Sequence, residues 1–330
     1  MQRRSFLFTV LSICVSLSFV GCPSNSEEAS TGDTNSSKPE IRGTIGVSLL
    51  TFDNPFFKVI ADNIKAEAEK SGYEVIALSA NDDAATQNNQ INDFIAQDVS
   101  VIVVSPVKSS AIVSGIKAAN EAGIPVITVD TPCNEEGVDI LTQVATDNFE
   151  GGEKAGEAMI EALGDEGGKI IVLNKEGSES CKLREDGFHK VIESHNKTAE
   201  KKIEIVNTIE SNGDKAVGLK ATEDALQSNP DLAGIFAIND PAALGARAAL
   251  EKAKVGDHIV IIGFDGQPEG KQAIKEGKIY ADPIQFPDKM GIKVVESIVA
   301  HFKGQEVPRE QYISTSLYRQ EDANNDPELN

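Results

Sequence analysis

The chain has 330 residues, of which 40% are hydrophobic and 25% charged, a balance typical of a globular protein. This length suggests about two domains. The formal net charge is −21, and it becomes −23 if Arg3 and Arg4 are removed with an export signal. Such an acidic chain is not expected to bind nucleic acid or an anionic membrane surface through a basic patch, so neutral partners are favoured.

The amino terminus is typical of an exported protein. Arg3 and Arg4 precede an apolar run, residues 6–20, that is too short for a comfortable membrane span. The run ends in Phe19-Val20-Gly21-Cys22, which resembles a bacterial lipoprotein cleavage site. This resemblance implies a lipoprotein signal peptide over residues 1–21 and a lipidated Cys22. Residues 22–41, rich in Ser, Asn and Glu, predict a flexible tether.

Signs of catalysis, metal binding and cofactor binding are missing from the sequence. The chain has no phosphate loop, no nucleophile elbow and no dinucleotide fingerprint after a predicted strand. Its four histidines are scattered and none has a cysteine at metal-ligand spacing. In the folded part, Cys133 and Cys181 are predicted to be two separate buried thiols, with a disulfide as the open alternative. We therefore predict neither an enzyme nor a cofactor or metal protein.

From residue 44 onward, short apolar runs alternate with helical patterns. Strands are predicted at residues 44–50, 74–79, 99–104 and 125–129, with helices at 55–71, 84–97 and 109–122. The same alternation restarts with strands at 169–173, 203–208, 233–237, 258–262 and 278–281, helices between them, and further helices at 149–163 and 287–302. Repeated strand–helix units rich in Val and Ile predict two similar α/β lobes, each a doubly wound parallel sheet. The polar tail, 320–330, is expected to be frayed.

One stretch near the start of the folded part predicts a wall of a ligand cleft. Asn54 can cap a helix and Pro55 suits its first position, so that Phe56 and Phe57 are presented at the end of a strand. Ligands bind at that edge of open α/β sheets. An ordinary capped helix with two core phenylalanines is the alternative.

Other polar residues share this position directly after a predicted strand. They are Asp130, Asn239, Asp265 and Gln285, with Phe264 beside Asp265. Because the carboxyl ends of parallel strands face one side, residues from both lobes can converge on a cleft between them. Each of them alone could instead be a loop starter or a helix cap. Together with Arg184 they form a candidate binding site.

These residues belong to a series of motifs in a characteristic order. The motifs are Asp53-Asn54-Pro55-Phe56-Phe57, Ile124-Pro125-Val126-Ile127-Thr128-Val129-Asp130, Ala145-Thr146-Asp147-Asn148, Arg184-x-x-Gly187-Phe188, Phe236-Ala237-Ile238-Asn239-Asp240, Gly263-Phe264-Asp265-Gly266 and Ile284-Gln285-Phe286-Pro287-Asp288. Over residues 43–319 the chain resembles the type I periplasmic sugar-binding proteins of ABC transporters, and most closely the ribose-binding proteins.

The resemblance implies a role for each matching residue. It implies that the polar residues Asn54, Asp130, Arg184, Asn239, Asp265 and Gln285 hydrogen-bond sugar hydroxyls, and that Phe56, Phe57 and Phe264 pack on the sugar ring. Two positions depart from the ribose pattern: Thr131 replaces an arginine and Leu50 replaces a small serine. Both are candidates for determining specificity, and the expected ligand is a neutral monosaccharide or related polyol, with ribose one candidate among several.

The resemblance also implies a hinge of three chain segments, near Asp147, Gln285 and Ser314. Lobe one would then comprise residues 42–146 plus 287–313, and lobe two residues 148–284 plus 315–330. The expected function is that of an extracytoplasmic solute-binding lipoprotein, a monomer in the periplasm or cell envelope that delivers its sugar to an ABC permease. The alternative is a ligand-binding input protein for a chemoreceptor or a sugar-sensing kinase.

Overall fold

The computed structural model describes residues 42–256 and 258–329. The predicted signal peptide (1–21), the tether (22–41) and the lipidation site Cys22 lie outside the described residues. Within the described ranges, no helix combines the length and the apolar character that a membrane crossing requires.

The part of the chain that the structure describes contains twelve strands and ten α-helices. The strands are β1 (Gly43–Leu49), β2 (Tyr73–Ser79), β3 (Val101–Val104), β4 (Val126–Val129), β5 (Thr142–Thr146), β6 (Gly168–Asn174), β7 (Ile203–Glu210), β8 (Leu232–Ala237), β9 (Val260–Ile262), β10 (Ala281–Ile284), β11 (Glu310–Ile313) and β12 (Ser316–Arg319). The helices are α1 (Pro55–Lys70), α2 (Ala84–Ala96), α3 (Val113–Glu121), α4 (Asn148–Leu163), α5 (Glu179–His195), α6 (Lys215–Ser228), α7 (Asp240–Ala253), α8 (Pro268–Lys275), α9 (Pro287–Phe302) and α10 (Gln320–Asn325).

The strands form two six-stranded sheets of the same design. Their orders are β11-β5-β4-β3-β1-β2 and β12-β10-β9-β8-β6-β7. All pairings are parallel except that of β10 with β12, which is antiparallel. Both orders change direction between the first and third strand of the lobe, as in a doubly wound sheet. The predicted fold class, two similar α/β lobes, is confirmed.

Each sheet is covered by helices on both faces, which explains its nearly unbroken apolar strands. In the first lobe, α1 and α9 cover one face of the sheet and α2 and α3 the other. In the second lobe, α4 and α5 lie on one face and α6, α7 and α8 on the other.

Helix α1 begins as predicted. The side chain of Asn54 accepts a hydrogen bond from the backbone N–H of Phe56 at 3.0 Å, and Pro55 occupies the first helical position. Its apolar stripe is buried against the sheet and consists of Phe56, Phe57, Ile60, Ala61, Ile64 and Ala68. The cap thus fixes where both rings enter the lobe.

Several strand predictions need correction. The predicted strand at 278–281 lies instead at Ala281–Ile284, the one at 258–262 shortens to Val260–Ile262, and β5, β11 and β12 were not predicted. β5 begins with buried polar residues, Thr142 and Gln143, whose side chains are satisfied by specific hydrogen bonds instead of an apolar environment. β11 and β12 are edge strands with mixed exposure, so their apolar signal is weak.

Residues 320–329 of the carboxyl-terminal tail are ordered, so the prediction of a frayed tail was wrong for them. Residues 320–325 form helix α10, at whose start the backbone N–H of Arg319 donates to Asp322 Oδ2 at 2.8 Å. Ala323 is fully buried against the second lobe, and the hydroxyl of Tyr318 donates to Asp326 at 2.7 Å. One small apolar residue and a few polar anchors therefore hold this polar segment.

The chain passes between the two sheets three times. It leaves the first sheet after β5, returns after β10, and crosses again between β11 and β12. At the first two crossings the hydroxyl of Thr146 donates to the side-chain oxygen of Gln285 at 2.7 Å. The crossings therefore lie side by side at the base of the cleft.

Candidate functional site

A cavity of about 560 Å³ lies between the two lobes, at the carboxyl ends of the strands. Of the residues predicted to bind ligand or to set specificity, all but Phe264 line it: Leu50, Asn54, Phe56, Phe57, Asp130, Thr131, Arg184, Asn239, Asp265 and Gln285. Known ligand pockets fall in the same size range, about 300–1,000 Å³. The tertiary structure therefore brings together residues that are separated by more than two hundred positions in the chain.

Arg184 is the most constrained cation in the cavity. Its Nε donates to the side-chain oxygen of Asn148 at 2.8 Å, and its Nη1 donates to the carbonyl of Ile238 at 2.8 Å and to Asp265 Oδ1 at 3.1 Å. The residue is only 4% exposed. Among the described residues no acceptor lies within hydrogen-bond distance of Nη2. Two N–H donors of a fixed guanidinium therefore remain for a ligand.

Close helix packing holds the backbone of Arg184. Arg184 belongs to α5, which crosses α4 at two glycines. A Cβ on Gly152 would lie 2.0 Å from the carbonyl oxygen of Arg184, and one on Gly187 would lie 2.2 Å from the carbonyl oxygen of Phe149. Only glycine permits this approach.

Asp265 is connected to the hinge. Its Oδ1 accepts from Gln285 Nε2 at 2.6 Å, and its Oδ2 accepts from Gln267 Nε2 at 3.1 Å. Gln285 in turn accepts from Thr146 of the first lobe. Burial raises the pKa of Asp265, while the charge of Arg184 opposes this rise. A hydrogen-bonded chain thus joins the charged site to the crossing segments.

Asp130 is the charged group contributed by the first lobe. It is 5% exposed, its φ is +66°, and its Oδ2 accepts from the hydroxyl of Thr131 at 3.0 Å. Burial raises its pKa to about 6, and the charge of Arg184 partly offsets this effect. Among the described residues Thr131 is the hydrogen-bond donor to this carboxylate, so Oδ1 remains as an acceptor that faces the cavity.

The apolar wall of the cavity is formed by Phe56, Phe57 and Leu50. The two rings pack edge to face, with centroids 5.3 Å apart and an interplanar angle of 87°. Each of these three side chains is at least 94% buried in the first lobe while it also borders the cavity. A rigid, desolvated surface of this kind suits the C–H face of a sugar ring.

Asn239 has a structural role besides lining the cavity. Its Oδ1 caps α7 by accepting from the N–H of Ala242 at 3.0 Å, and its Nδ2 donates to the carbonyl of Gly213 at 3.0 Å. One of its two N–H donors remains available. Both readings of this residue, the cap and the cavity position, therefore apply together.

The position of Phe264 differs from the prediction that its ring packs on a sugar. The side chain is fully buried and does not line the cavity. The guanidinium carbon of Arg184 lies 3.8 Å from the ring centroid, and the ring fills the space beside Gly151. Phe264 therefore holds the guanidinium of Arg184 in place by packing against it and by a cation–π contact.

Sequence reasoning missed several polar residues of the site, including the following four. Asn148 and Gln267 orient Arg184 and Asp265, while Lys175 and Ser180 border the cavity. The position of Lys175 right after β6 is the same signal that identified Asp130. The contacts of the other three depend on helix packing, and no local pattern indicates them.

The lobes also contact each other away from the hinge. The hydroxyl of Ser180 donates to the carbonyl of Asp130 at 2.9 Å, and the N–H of Ser109 donates to the carbonyl of Gly177 at 3.2 Å. The cleft is therefore closed over the cavity.

Comparison with known proteins assigns the chain to a family. Residues 45–306 match the periplasmic binding protein domain. The chain belongs to the periplasmic binding protein family. Since family members of this type are named for binding and import, this confirms the prediction of a binding protein instead of an enzyme. Membership implies a periplasmic location, as predicted.

Three relatives illustrate the match. The ribose import binding protein of Salmonella typhimurium is 32% identical over 285 residues, which cover 86% of this chain and 93% of the relative. The D-apiose import binding protein of Paraburkholderia graminis is 32% identical over 275 residues, or 83% and 86% of the two chains. A solved ABC transporter solute-binding protein from Agrobacterium vitis with bound α-D-tagatopyranose has a TM-score of 0.80 and 27% identity, covering 87% of this chain and 97% of its own.

Proposed function

We propose that this family member captures a neutral monosaccharide or a related polyol between its lobes and delivers it to an ABC permease. The observation that carries the proposal is the pairing of unused polar groups with an aromatic wall. Asp130 offers an acceptor and Arg184 offers two donors, both almost fully buried, in the cavity that Phe56 and Phe57 also line. A sugar has polar edges and apolar faces, so it complements both surfaces.

The binding residues that we propose are those of the cavity. Asn54, Asp130, Arg184, Asn239, Asp265 and Gln285 would meet hydroxyls, and Phe56 and Phe57 would meet the ring. Charge-assisted hydrogen bonds are roughly twice as strong as neutral ones. Several of them in a closed cleft are compatible with a micromolar dissociation constant, about −8 kcal/mol.

Leu50 and Thr131 are the proposed specificity residues. Leu50 lines the cavity with an apolar side chain, and the hydroxyl of Thr131 donates to Asp130. Neither can donate a bidentate pair to a sugar as an arginine can. The named relatives bind ribose, D-apiose and α-D-tagatopyranose. We therefore expect a monosaccharide, with ribose as one candidate among these.

The permease would recognise the ligand-bound protein by the closure of its two lobes. The lobes that we propose comprise residues 42–146 plus 287–313 and residues 148–284 plus 315–330, joined near Asp147, Gln285 and Ser314. Hinge closure around the ligand would present both lobes to the permease at once. We further propose that the mature protein is a monomer, anchored through lipid on Cys22 by the tether at 22–41.

Calorimetric titration tests the proposal directly. The purified protein is titrated with D-ribose, D-apiose, D-allose, D-tagatose and myo-inositol. We expect saturable binding of at least one of them, a loss of at least tenfold in affinity for Asp130→Asn and for Arg184→Met, and no comparable loss for Lys182→Met. Lys182 is on the same helix as Arg184 but is exposed and pairs with Asp186. Absence of binding to the whole panel, or unchanged affinity in both site variants, would overturn the proposal.

A further inference from the structure

We infer that Lys175 of the second lobe is a ligand-contacting residue that helps determine specificity, donating to a hydroxyl of the bound sugar. This inference rests on the proposed function. It concerns the part of the cavity next to Lys175 and Asn239.

The backbone of Lys175 is fixed while its side chain extends along the cavity. The N–H of Lys175 donates to the side-chain oxygen of Asn174 at 2.7 Å. The side chain then passes over Gly213, where a Cβ would lie 3.5 Å from Lys175 Cδ and 2.7 Å from Asn239 Nδ2. Gly213 also has a φ of +62°, so glycine is favoured there both by the lack of space for a Cβ and by the backbone conformation. The missing side chain leaves space for Lys175 and Asn239 side by side.

The ammonium of Lys175 has unused hydrogen-bonding capacity. Its contact with Asp82 Oδ1 of the first lobe is 3.4 Å long, beyond the usual range of about 2.7–3.2 Å. The Asp82 side chain is 52% exposed, while that of Lys175 is 20% exposed. No second acceptor lies within hydrogen-bond distance of this ammonium in the described chain. An ammonium has three donors, so at least two are free for a ligand.

The charges around Lys175 favour a neutral hydroxyl as its partner. Its positive charge lowers the pKa of Asp130, whereas burial and the charge of Asp265 raise it. Other carboxylates and a second lysine, Lys215, also line the cavity. A carboxylate or phosphate on the ligand would be repelled by these carboxylates, and an amine would be repelled by Lys175. A hydroxyl is neutral and can both donate and accept hydrogen bonds, so it suits both kinds of group.

Cations reach the cavity from the second lobe only. Thr131, next to Asp130 on the first lobe, is uncharged and its hydroxyl is already used. Among the described residues the cations that line the cavity are Lys175, Arg184 and Lys215, all of the second lobe. A ligand without a hydroxyl at Lys175 would leave this ammonium with only its long contact to Asp82, and sites built to hydrogen-bond a hydroxyl reject the analogue that lacks it.

Lys175→Met tests the inference, with Lys108→Met as its matched control. Lys108 is an exposed lysine of the first lobe whose side chain packs over Gly177 in the same interlobe region but does not line the cavity. Calorimetry uses the panel sugar that the wild type binds most tightly. We expect Lys175→Met to weaken binding at least tenfold, Lys175→Arg to recover part of the loss, and Lys108→Met to stay within twofold.

A purely interlobe role for Lys175 is distinguished by Asp82→Asn. If Lys175 acted only through Asp82, Asp82→Asn would lose as much affinity as Lys175→Met, and this result would overturn the inference. A ligand role predicts a small effect for Asp82→Asn. Unchanged affinity in Lys175→Met refutes the inference alone, whereas a wild type that binds no sugar refutes the proposed function and the inference with it.

Discussion

The guanidinium of Arg184 and the carboxylate of Asp265 form an ion pair inside the second lobe, with Nη1 and Oδ1 3.1 Å apart and each side chain 5% exposed. The same carboxylate oxygen accepts from Gln285, which accepts from Thr146 of the first lobe. The ion pair therefore lines the base of the cavity and orients the free N–H donors of Arg184. Through Gln285 it also connects the binding site to the hinge.

Removal of the arginine should destabilise the fold as well as the site. In Arg184→Met, Asp265 would remain buried without its cation, and breaking a buried pair in this way typically costs about 3–5 kcal/mol. The free energy of unfolding, from urea denaturation, measures the loss. Lys182→Met on the same helix removes an exposed pair and should cost roughly 0.5 kcal/mol or less. A cost below about 1 kcal/mol for Arg184→Met would contradict the role of the pair.

Close packing of α4 on α5 should tolerate no methyl group at Gly152. The new Cβ in Gly152→Ala would lie 2.0 Å from the backbone oxygen of Arg184, so the helices must separate. We expect a destabilisation of about 3 kcal/mol or more, with weaker sugar binding. The control is Gly218→Ala, where the nearest backbone oxygen is 3.0 Å away and the gain in helix propensity, about 1 kcal/mol, offsets mild crowding. Equal stabilities of the two variants would contradict this account.

Two buried carboxyls behind the site should make stability depend on pH. Asp240 and Asp282 are at least 99% buried, and their side chains form a hydrogen bond with each other. Burial raises both pKa values above the ordinary 3.8, that of Asp282 to about 6, and the charge of Asp265 adds to the rise. The folded state thus binds protons more tightly than the unfolded chain. This contribution to stability is complete below about pH 3.8 and is lost as the pH rises through about 6.

Asp282→Asn should therefore stabilise the protein at neutral pH. Its amide carries no charge and can donate to Asp240, so we expect a gain of roughly 2 to 3 kcal/mol at pH 7.5 and a smaller loss of stability between pH 4 and 7. Urea denaturation at several pH values measures both. Asp62→Asn, at an exposed site on α1, is the control and should leave the pH profile unchanged. Parallel profiles for wild type and Asp282→Asn would refute the prediction.

Sugar affinity should fall in acid through Asp130. With a pKa of about 6, its carboxyl is mostly neutral at pH 5 and mostly ionised at pH 7. The ionised form accepts the stronger hydrogen bond, so affinity should be about tenfold lower at pH 5 than at pH 7 if only that form binds. Calorimetry at several pH values, with the panel sugar that binds most tightly, measures how affinity depends on pH. Asp130→Asn should bind more weakly and show a smaller pH dependence, and any pH dependence that remains would come from Asp265, whose pKa is also raised. An equal pH dependence in both proteins would contradict the assignment.

Regular features of the fold were predictable from the sequence because they have local causes. The Asn54 cap with Pro55 at the first helical position was confirmed, and the alternation of Val- and Ile-rich runs with helical patterns predicted both lobes. The edge strands β11 and β12 and helix α10 were not predictable in this way. They exist because they pack on a sheet or a lobe that is already formed, and their own apolar content is small.

The candidate site divides in the same way. Polar residues at strand ends indicated Asp130, Asn239, Asp265 and Gln285, and the structure lines one cavity with all four. Strand ends are local features, and the geometry of parallel sheets collects them on one side. Phe264 obeyed the same rule but has its ring beneath Arg184, since the direction of a side chain depends on its neighbours and not on its position in the strand.

The sequence by itself determined two doubly wound lobes, a cleft lined with capped helix starts and strand-end residues, and a membership that the family comparison bears out. Only the tertiary structure decided how Arg184 is held by Asn148, Asp265 and Phe264, and that Lys175 reaches across the cleft to Asp82. The physical reason is the distance along the chain over which each kind of interaction acts. Caps and strand periods act between neighbouring residues, whereas hydrogen bonds and ion pairs between residues far apart in the chain exist only after the lobes have packed and closed.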